Sequence, residues 1–215
     1  MTAKAKLVLL TLFISIVLQL VLSQNLMAKS KGEALFKLCT QCHGMQGEGA
    51  YKLKAPAIAG MEKWYIVRQL KNFKNGVRGM HTKDIAGLRM RPMAKTLRYK
   101  GDVDKVATYV SSLPKTKNIK HMITAGNPEA GQGSYAMCMA CHGVNGEGNK
   151  AMNAPALANL SDWYIKQQLQ NFKHQVRAAN PAKDPIGATM APMAMTLADD
   201  AAIDNVISYI KTLKK

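Results

Sequence analysis

Two short stretches hold the residues whose types and spacing could do chemistry. Residues 39–43 read C-T-Q-C-H and residues 138–142 read C-M-A-C-H, and together they contain all four cysteines of the 215-residue chain. In this spacing two thiols can reach the two vinyl groups of one porphyrin while the adjacent imidazole binds its iron. We therefore predict two covalently bound haem c groups, with attachment and proximal ligation by Cys39, Cys42, His43, Cys138, Cys141 and His142.

Other uses of paired cysteines fit the sequence less well. A thioredoxin-like C-x-x-C site needs a βαβ pattern around it and gives no reason for a histidine after both pairs. A zinc site usually has a second ligand pair about 12 to 20 residues further on, and none follows at that distance. A disulfide within each pair would close a loop too small to stabilise the fold much.

Methionines are the candidates for the second axial ligand of each iron. Met90 and Met93 recur as Met190 and Met193, at a similar distance after each proximal histidine. Methionine ligation is typical of electron-transfer haems, although a methionine can also simply fill a core. Spacing alone does not choose within either pair. None of the remaining histidines recurs, which makes bis-histidine ligation the minor alternative: His81, His121 and His174.

The sequence is an internal repeat. With Cys39 aligned on Cys138, an Ala-Pro-Ala turn, a Trp-Tyr-Ile segment and an Asn-Phe-Lys segment recur at a constant offset of 99 residues. We predict an all-α fold of two tandem haem domains, residues 29–114 and 129–215, joined by a linker at 115–128. Apolar periodicity predicts three helices in each domain, at 32–38, 63–76, 102–113, 131–137, 162–175 and 199–213. The Gly-rich stretches and the methionine segments are predicted to be loops.

Charge is distributed unevenly along the chain. The net charge is +17, and residues 29–118 contain 19 Lys and Arg against 6 Asp and Glu, whereas residues 119–215 contain 9 against 7. No aromatic residues are interleaved with the lysines as in nucleic-acid-binding proteins, so we predict no nucleic-acid partner. A basic N-terminal domain instead favours acidic redox protein partners.

Residues 1–28 have the pattern of an export segment. Lys4 and Lys6 precede an almost unbroken apolar run at 7–22, and Ser23 offers a small residue for cleavage. We expect a signal peptide. An uncleaved anchor through residues 7–27 is the alternative, because a membrane-spanning helix needs about 20 residues. Either reading places the haem domains in the periplasm, soluble or tethered to the inner membrane.

With these motifs, residues 30–215 resemble the di-haem cytochrome c4 group, which has two class I cytochrome c domains in tandem. The resemblance implies domains related by a pseudo-twofold axis, with haem propionates near their interface. In that family the axial methionine lies seven residues before a leucine that precedes the last helix. Here those leucines are Leu97 and Leu197, which makes Met90 and Met190 the implied ligands and leaves Met93 and Met193 as second choices.

Three functional classes follow from these residues. A non-enzymatic electron carrier between a quinol-oxidising complex and a terminal oxidase or reductase is the first, because both axial positions of each iron have a candidate ligand. The resemblance also implies a second, the electron-accepting subunit of a larger dehydrogenase or oxidase complex. The third, a di-haem peroxidase, would need one iron with an open coordination site.

Overall fold

The protein is described by a computed structural model that covers residues 3–116, 122–123, 125–158 and 160–213. The predicted linker lies partly outside the described residues, as does His121. Within the described ranges the secondary structure is helical, apart from two isolated β-bridges that join residues 50 and 55 and residues 149 and 154. The all-α prediction is therefore confirmed. The helices are α1 (Ala3–Phe36), α2 (Thr40–His43), α3 (Lys63–Lys74), α4 (Ile85–Lys95), α5 (Asp102–Ser112), α6 (Pro128–His142), α7 (Asp162–Lys173), α8 (Pro185–Ala188), α9 (Met190–Met195) and α10 (Asp200–Thr212), with a single 3₁₀ turn at Tyr51–Leu53.

In each domain the helix before the haem motif crosses the last helix at a glycine. A Cβ on Gly32 would lie 2.2 Å from the carbonyl oxygen of Lys105 in α5, and one on Gly131 would lie 2.0 Å from that of Asn205 in α10. This close approach buries apolar side chains between the helices, among them Phe36 in domain 1 and Tyr135 in domain 2. The crossing therefore fixes the position from which each haem motif starts.

Helix α1 is much longer than predicted. The expected helix at 32–38 is instead the end of a 34-residue helix that begins at Ala3 and crosses the predicted domain boundary at 28/29. No proline or glycine between Ala3 and Gly32 interrupts the backbone hydrogen bonds. The described apolar side chains between Leu10 and Leu22 are exposed. Where side chains are described, no helix meets the length and apolarity needed to cross a membrane.

The prediction that the methionine segments are loops is wrong, because both are helical. The side chains of Asp84 and Asp184 cap the new helices by accepting from the backbone N–H groups of Gly87 and Gly187, each at 2.9 Å. In domain 1 the helix continues through Pro92 as α4. In domain 2 it divides at Thr189 into α8 and α9. The Asp-x-x-Gly pattern recurs in both repeats, and it is the sequence signal that could have predicted where these helices start.

The two domains meet along α3 and α7. At one edge of this contact the Tyr51 and Trp163 rings lie 5.5 Å apart, and the Lys54 Nζ lies 3.8 Å above the Tyr51 ring. At the opposite edge Arg68 donates a 3.0 Å hydrogen bond to the carbonyl oxygen of Asn153. Lys54 and Asn153 occupy equivalent positions in the two repeats. Equivalent residues therefore lie at the two opposite edges of the contact, as expected for domains related by a pseudo-twofold axis.

Candidate haem sites

The haem motifs are themselves helical, which the sequence patterns did not predict. In domain 1, α1 ends at Phe36 and the single turn of α2 ends at His43, whose backbone N–H bonds to the carbonyl oxygen of Cys39 at 2.9 Å. In domain 2, α6 runs without a break to His142. Side chains three and four residues apart share one helix face. The two thiols and the imidazole of each motif are therefore presented on the same side.

Each proximal histidine is held by a carbonyl oxygen of the recurring Ala-Pro-Ala turn. The Nδ1 atom of His43 lies 2.8 Å from the Pro56 oxygen, and that of His142 lies 2.7 Å from the Pro155 oxygen. A carbonyl oxygen can only accept, so Nδ1 carries the proton and the Nε2 lone pair is left for a metal. Burial lowers the pKa of both imidazoles because the charged form loses solvation, which favours the neutral, ligating form.

Cys39 and Cys138 do not have the properties of reactive thiols. All four are free, and burial raises the pKa of Cys39 to about 11 and raises that of Cys138 as well. Disulfide oxidoreductases depend on the opposite shift, a lowered thiol pKa. The site therefore fits covalent haem attachment better than thiol–disulfide exchange.

In domain 1 the predicted residues come together around one pocket. Cys39, Cys42 and His43 line it together with Met90 and Met93 from α4, and apolar side chains from α1, α3 and α5 form most of the remaining wall. A large apolar pocket with thiols, a neutral imidazole and thioether sulfurs suits a haem. In this domain both candidate methionines reach the site, so the choice between them stays a prediction.

In domain 2 the two candidate methionines differ in their surroundings. Met190 packs against Phe172, Ala178 and Ala194, whereas Met193 is 41% exposed. This difference favours Met190, in line with the ligand that the family resemblance implies. The two described histidines outside the motifs, His81 and His174, are exposed on the surface.

Two sets of polar groups near the haem motifs were not predicted from the sequence. The first is the pair of proline carbonyls, for which the recurring Ala-Pro-Ala turn was the available signal. The second is Arg78 and Arg177, which recur as Val-Arg in both repeats. Both arginines are buried, and in both the Nε atom has no hydrogen-bond partner among the described residues. Arg78 lines the pocket of domain 1, and a buried cationic donor there also fits haem, because haem carries two propionate carboxylates.

Comparisons with known proteins agree with this arrangement. The family described as Cytochrome c matches residues 30–114 and 128–214. Cytochrome c4 of Thiocapsa roseopersicina is 32% identical over 67% of this chain and 73% of its own. The thiosulfate dehydrogenase electron acceptor of Thiomonas intermedia is 30% identical over 66% of each chain. The crystal structure of reduced recombinant cytochrome c4 from Pseudomonas stutzeri aligns with a TM-score of 0.64 and 25% identity, over 86% of this chain and 98% of that one. The chain therefore belongs to the cytochrome c family, as a di-haem, cytochrome c4-like electron-transfer protein with two covalently bound haem c groups.

Proposed function

We propose that this cytochrome carries single electrons in the periplasm, from a quinol-oxidising complex to a terminal oxidase or reductase, and catalyses no reaction itself. The observation that carries the proposal is the shared pocket of His43, Met90 and Met93. If haem is bound there, the imidazole and one thioether sulfur would hold its iron and would leave no coordination site for a substrate.

In this mechanism the haem supplies an iron that changes between the ferrous and ferric states. The protein keeps the ligands in place during that change. The Pro56 and Pro155 carbonyl oxygens fix the imidazole rings, and the apolar pocket wall excludes water from the iron. Methionine ligation favours the ferrous state and so raises the reduction potential.

Reactivity towards small ligands tests this proposal. The oxidised protein should exchange electrons rapidly with small inorganic reagents, yet bind cyanide slowly and fail to consume hydrogen peroxide. Rapid cyanide binding by one haem, together with peroxide turnover, would mean that one iron has an open site. The protein would then be an enzyme of the di-haem peroxidase type.

Partner docking is proposed to use the basic N-terminal domain. Met45, two residues after His43, is 76% exposed, and Lys37 and Lys52 are exposed in the same domain. The positions equivalent to these lysines in the second domain are Ala136 and Ala151. Exposed lysines in the same domain as the exposed Met45 would speed the approach of an acidic partner through weak, salt-sensitive contacts.

Paired charge variants test this docking surface. K37A/K52A should slow electron transfer to hexacyanoferrate, an anionic oxidant, and should weaken the decrease in rate with added salt. K150A/K183A is the matched control, since it removes two exposed lysines from the second domain. If both variants reacted with hexacyanoferrate at the same rate, the assignment to the N-terminal domain would be wrong.

A second candidate function is supported by the relatives that are named electron acceptors of a dehydrogenase or subunits of an oxidase. The Thiomonas intermedia protein is named a thiosulfate dehydrogenase electron acceptor, and this chain covers 66% of it. A dedicated subunit would copurify with its dehydrogenase in fixed stoichiometry, whereas a diffusing carrier would not. The exposed apolar side chains of α1 between Leu10 and Leu22 support membrane tethering as the alternative to signal cleavage. We would measure the intact mass of the mature protein in the membrane and soluble fractions. This mass distinguishes a retained membrane anchor from a cleaved signal peptide.

A further inference from the structure

In each domain a lysine holds the C-terminal end of the helix that contains the favoured axial methionine. These helices, α4 and α9, are called the methionine helices below. Lys74, the last residue of α3, donates from Nζ to the carbonyl oxygen of Leu97, the second residue after α4. Lys173, the last residue of α7, donates in the same way to the carbonyl oxygen of Leu197, the second residue after α9. Lys173 also donates to the carbonyl oxygen of Ala198 at 2.8 Å.

The accepting carbonyl groups lie where a cationic donor is favourable. The last carbonyl groups of a helix have no partner within that helix, and the partial negative charge at the C-terminal end attracts a cation. Lysine side chains near a helix C-terminus can supply both the hydrogen bond and the charge. Leu97 and Leu197 are buried, so little water is available to replace the lysine as donor. Each lysine therefore stabilises the end of a methionine helix.

The methionine lies between two fixed points of the chain. In domain 1 the Asp84 carboxylate caps the start of α4, and Lys74 holds the carbonyl oxygen of Leu97 after its end. Met90 lies six residues after Asp84 and seven before Leu97. It lines the same pocket as the proximal His43. A displacement of either end of the helix would therefore move the thioether sulfur relative to the iron position.

The two lysines recur in a chain whose second domain has lost many others. Residues 119–215 contain only 9 Lys and Arg, and the exposed Lys71 and Lys95 of the first domain are replaced by Gln170 and Met195. Lysine recurs at the end of the Asn-Phe-Lys segment, where it donates to the same carbonyl group in both domains. The recurrence of one contact in two differently charged domains supports a role other than surface charge.

We propose that Lys74 and Lys173 are positioning residues, each of which keeps the axial methionine of its own domain on the haem iron by holding the end of the methionine helix. This inference rests on the methionine ligation proposed above. Removing the lysine donor leaves a buried carbonyl group unpaired and lets the helix end move. The sulfur then leaves the iron more often, while the haem stays attached through its cysteines.

Imidazole binding to the oxidised di-haem protein tests the positioning role. An imidazole nitrogen takes the axial position as the methionine sulfur leaves, with no electron or proton transferred, and loss of the red methionine-to-iron band measures the exchange. K74M keeps an unbranched side chain but removes the donor. Half of the band should then disappear about tenfold faster than in the unaltered protein, because a hydrogen bond from a charged group is lost.

The second lysine shows whether each effect stays within one domain. K173M should accelerate the loss of the other half of the band, and K74M/K173M should accelerate the loss of the whole band. If K74M alone accelerated the whole band, or if the double variant accelerated only half of it, the assignment of one lysine to each haem would be overturned.

Two further variants separate positioning from general stability. K74R keeps a charged donor and should recover part of the slow exchange. K71M is the matched control, because it removes an exposed lysine about one turn earlier in α3 and should change no rate. Unchanged exchange in K74M with reduced thermal stability would make the lysine a structural contact only. An unaltered protein without the red band would instead refute the methionine ligation itself, and the positioning role with it.

Discussion

The Nδ1 atom of His43 lies 2.8 Å from the carbonyl oxygen of Pro56, and this contact fixes which imidazole nitrogen can bind iron. The Pro56 segment is held to the preceding glycine turn by the Ile58 N–H, which donates to the Gly47 carbonyl oxygen at 2.8 Å, and the Gly49 N–H of that turn donates to the His43 carbonyl oxygen at 2.7 Å. The histidine and its supporting turn therefore hold each other in place. The same pair of contacts recurs at His142, Gly148 and Pro155.

Replacing Gly49 with alanine should destabilise the first haem domain. Gly49 has a φ of +85°, and a Cβ there would lie 2.4 Å from the Ala57 nitrogen. The strain and the clash together should lower the free energy of unfolding by about 2 to 4 kcal/mol. Denaturant unfolding of the haem-loaded protein measures the change.

The matched control for this glycine is G133A. Gly133 lies in α6, and a Cβ added there would meet no other atom within 4 Å. Alanine at this position should be neutral or stabilise the protein by up to about 1 kcal/mol, because alanine has the higher helix propensity. Equal losses of stability in G49A and G133A would contradict the proposed support of His43.

Replacing the favoured methionines should remove the axial sulfur ligands one at a time. M90A and M190A should each abolish half of the weak red absorption band that arises from methionine sulfur bound to ferric haem. M93L and M193L should leave the band intact, because these residues are only the second choices as axial ligands. Loss of the band in M93L rather than M90A would reverse the ligand choice in domain 1.

Removing one pair of thiols should remove one haem. C39S/C42S should retain a single covalent haem, attached through Cys138 and Cys141, and the haem-to-chain ratio should fall from two to one. Intact mass spectrometry and the absorption of the pyridine complex measure this ratio. C138S/C141S is the reciprocal control. A chain that kept both covalent haems after either change would contradict the attachment scheme.

Replacing Asp162 should release the described part of the linker from the second domain. The buried Asp162 carboxylate accepts hydrogen bonds from the backbone N–H groups of Met122 and Ile123, both at 2.8 Å, and lies 3.8 Å from Lys211 Nζ. D162A should lower stability by roughly 2 to 4 kcal/mol and speed proteolysis near residue 122. K63A changes the equivalent, exposed position of the first domain and should have little effect. Equal cleavage rates in the two variants would count against the anchoring role of Asp162.

The sequence predicted those features that local patterns encode. Helical periodicity identified α3, α5, α7 and α10 to within about two residues at each end, and the doubled C-x-x-C-H motif identified the haem sites. The helical methionine segments were missed because Pro92 and Pro192 favoured loops, whereas the caps of Asp84 and Asp184 start helices before them.

Local sequence patterns did not predict the contacts between residues that are far apart in the chain. The hydrogen bond that Arg177 donates to Gln69 joins residues that are 108 positions apart in the sequence. No local pattern pairs an arginine with a glutamine so distant in the chain. Only the recurrence of Val-Arg in both repeats marked these residues, and recurrence alone does not distinguish a surface arginine from a buried one.

The most direct test of the account is the absorption spectrum of the oxidised protein, measured together with the number of haems per chain. The account predicts two covalent haems and a red methionine-to-iron band of the intensity expected for two methionine-ligated irons. A chain with two haems but half of that band, and with high-spin absorption in its place, would contradict the closed, electron-carrying site that we assign to both domains.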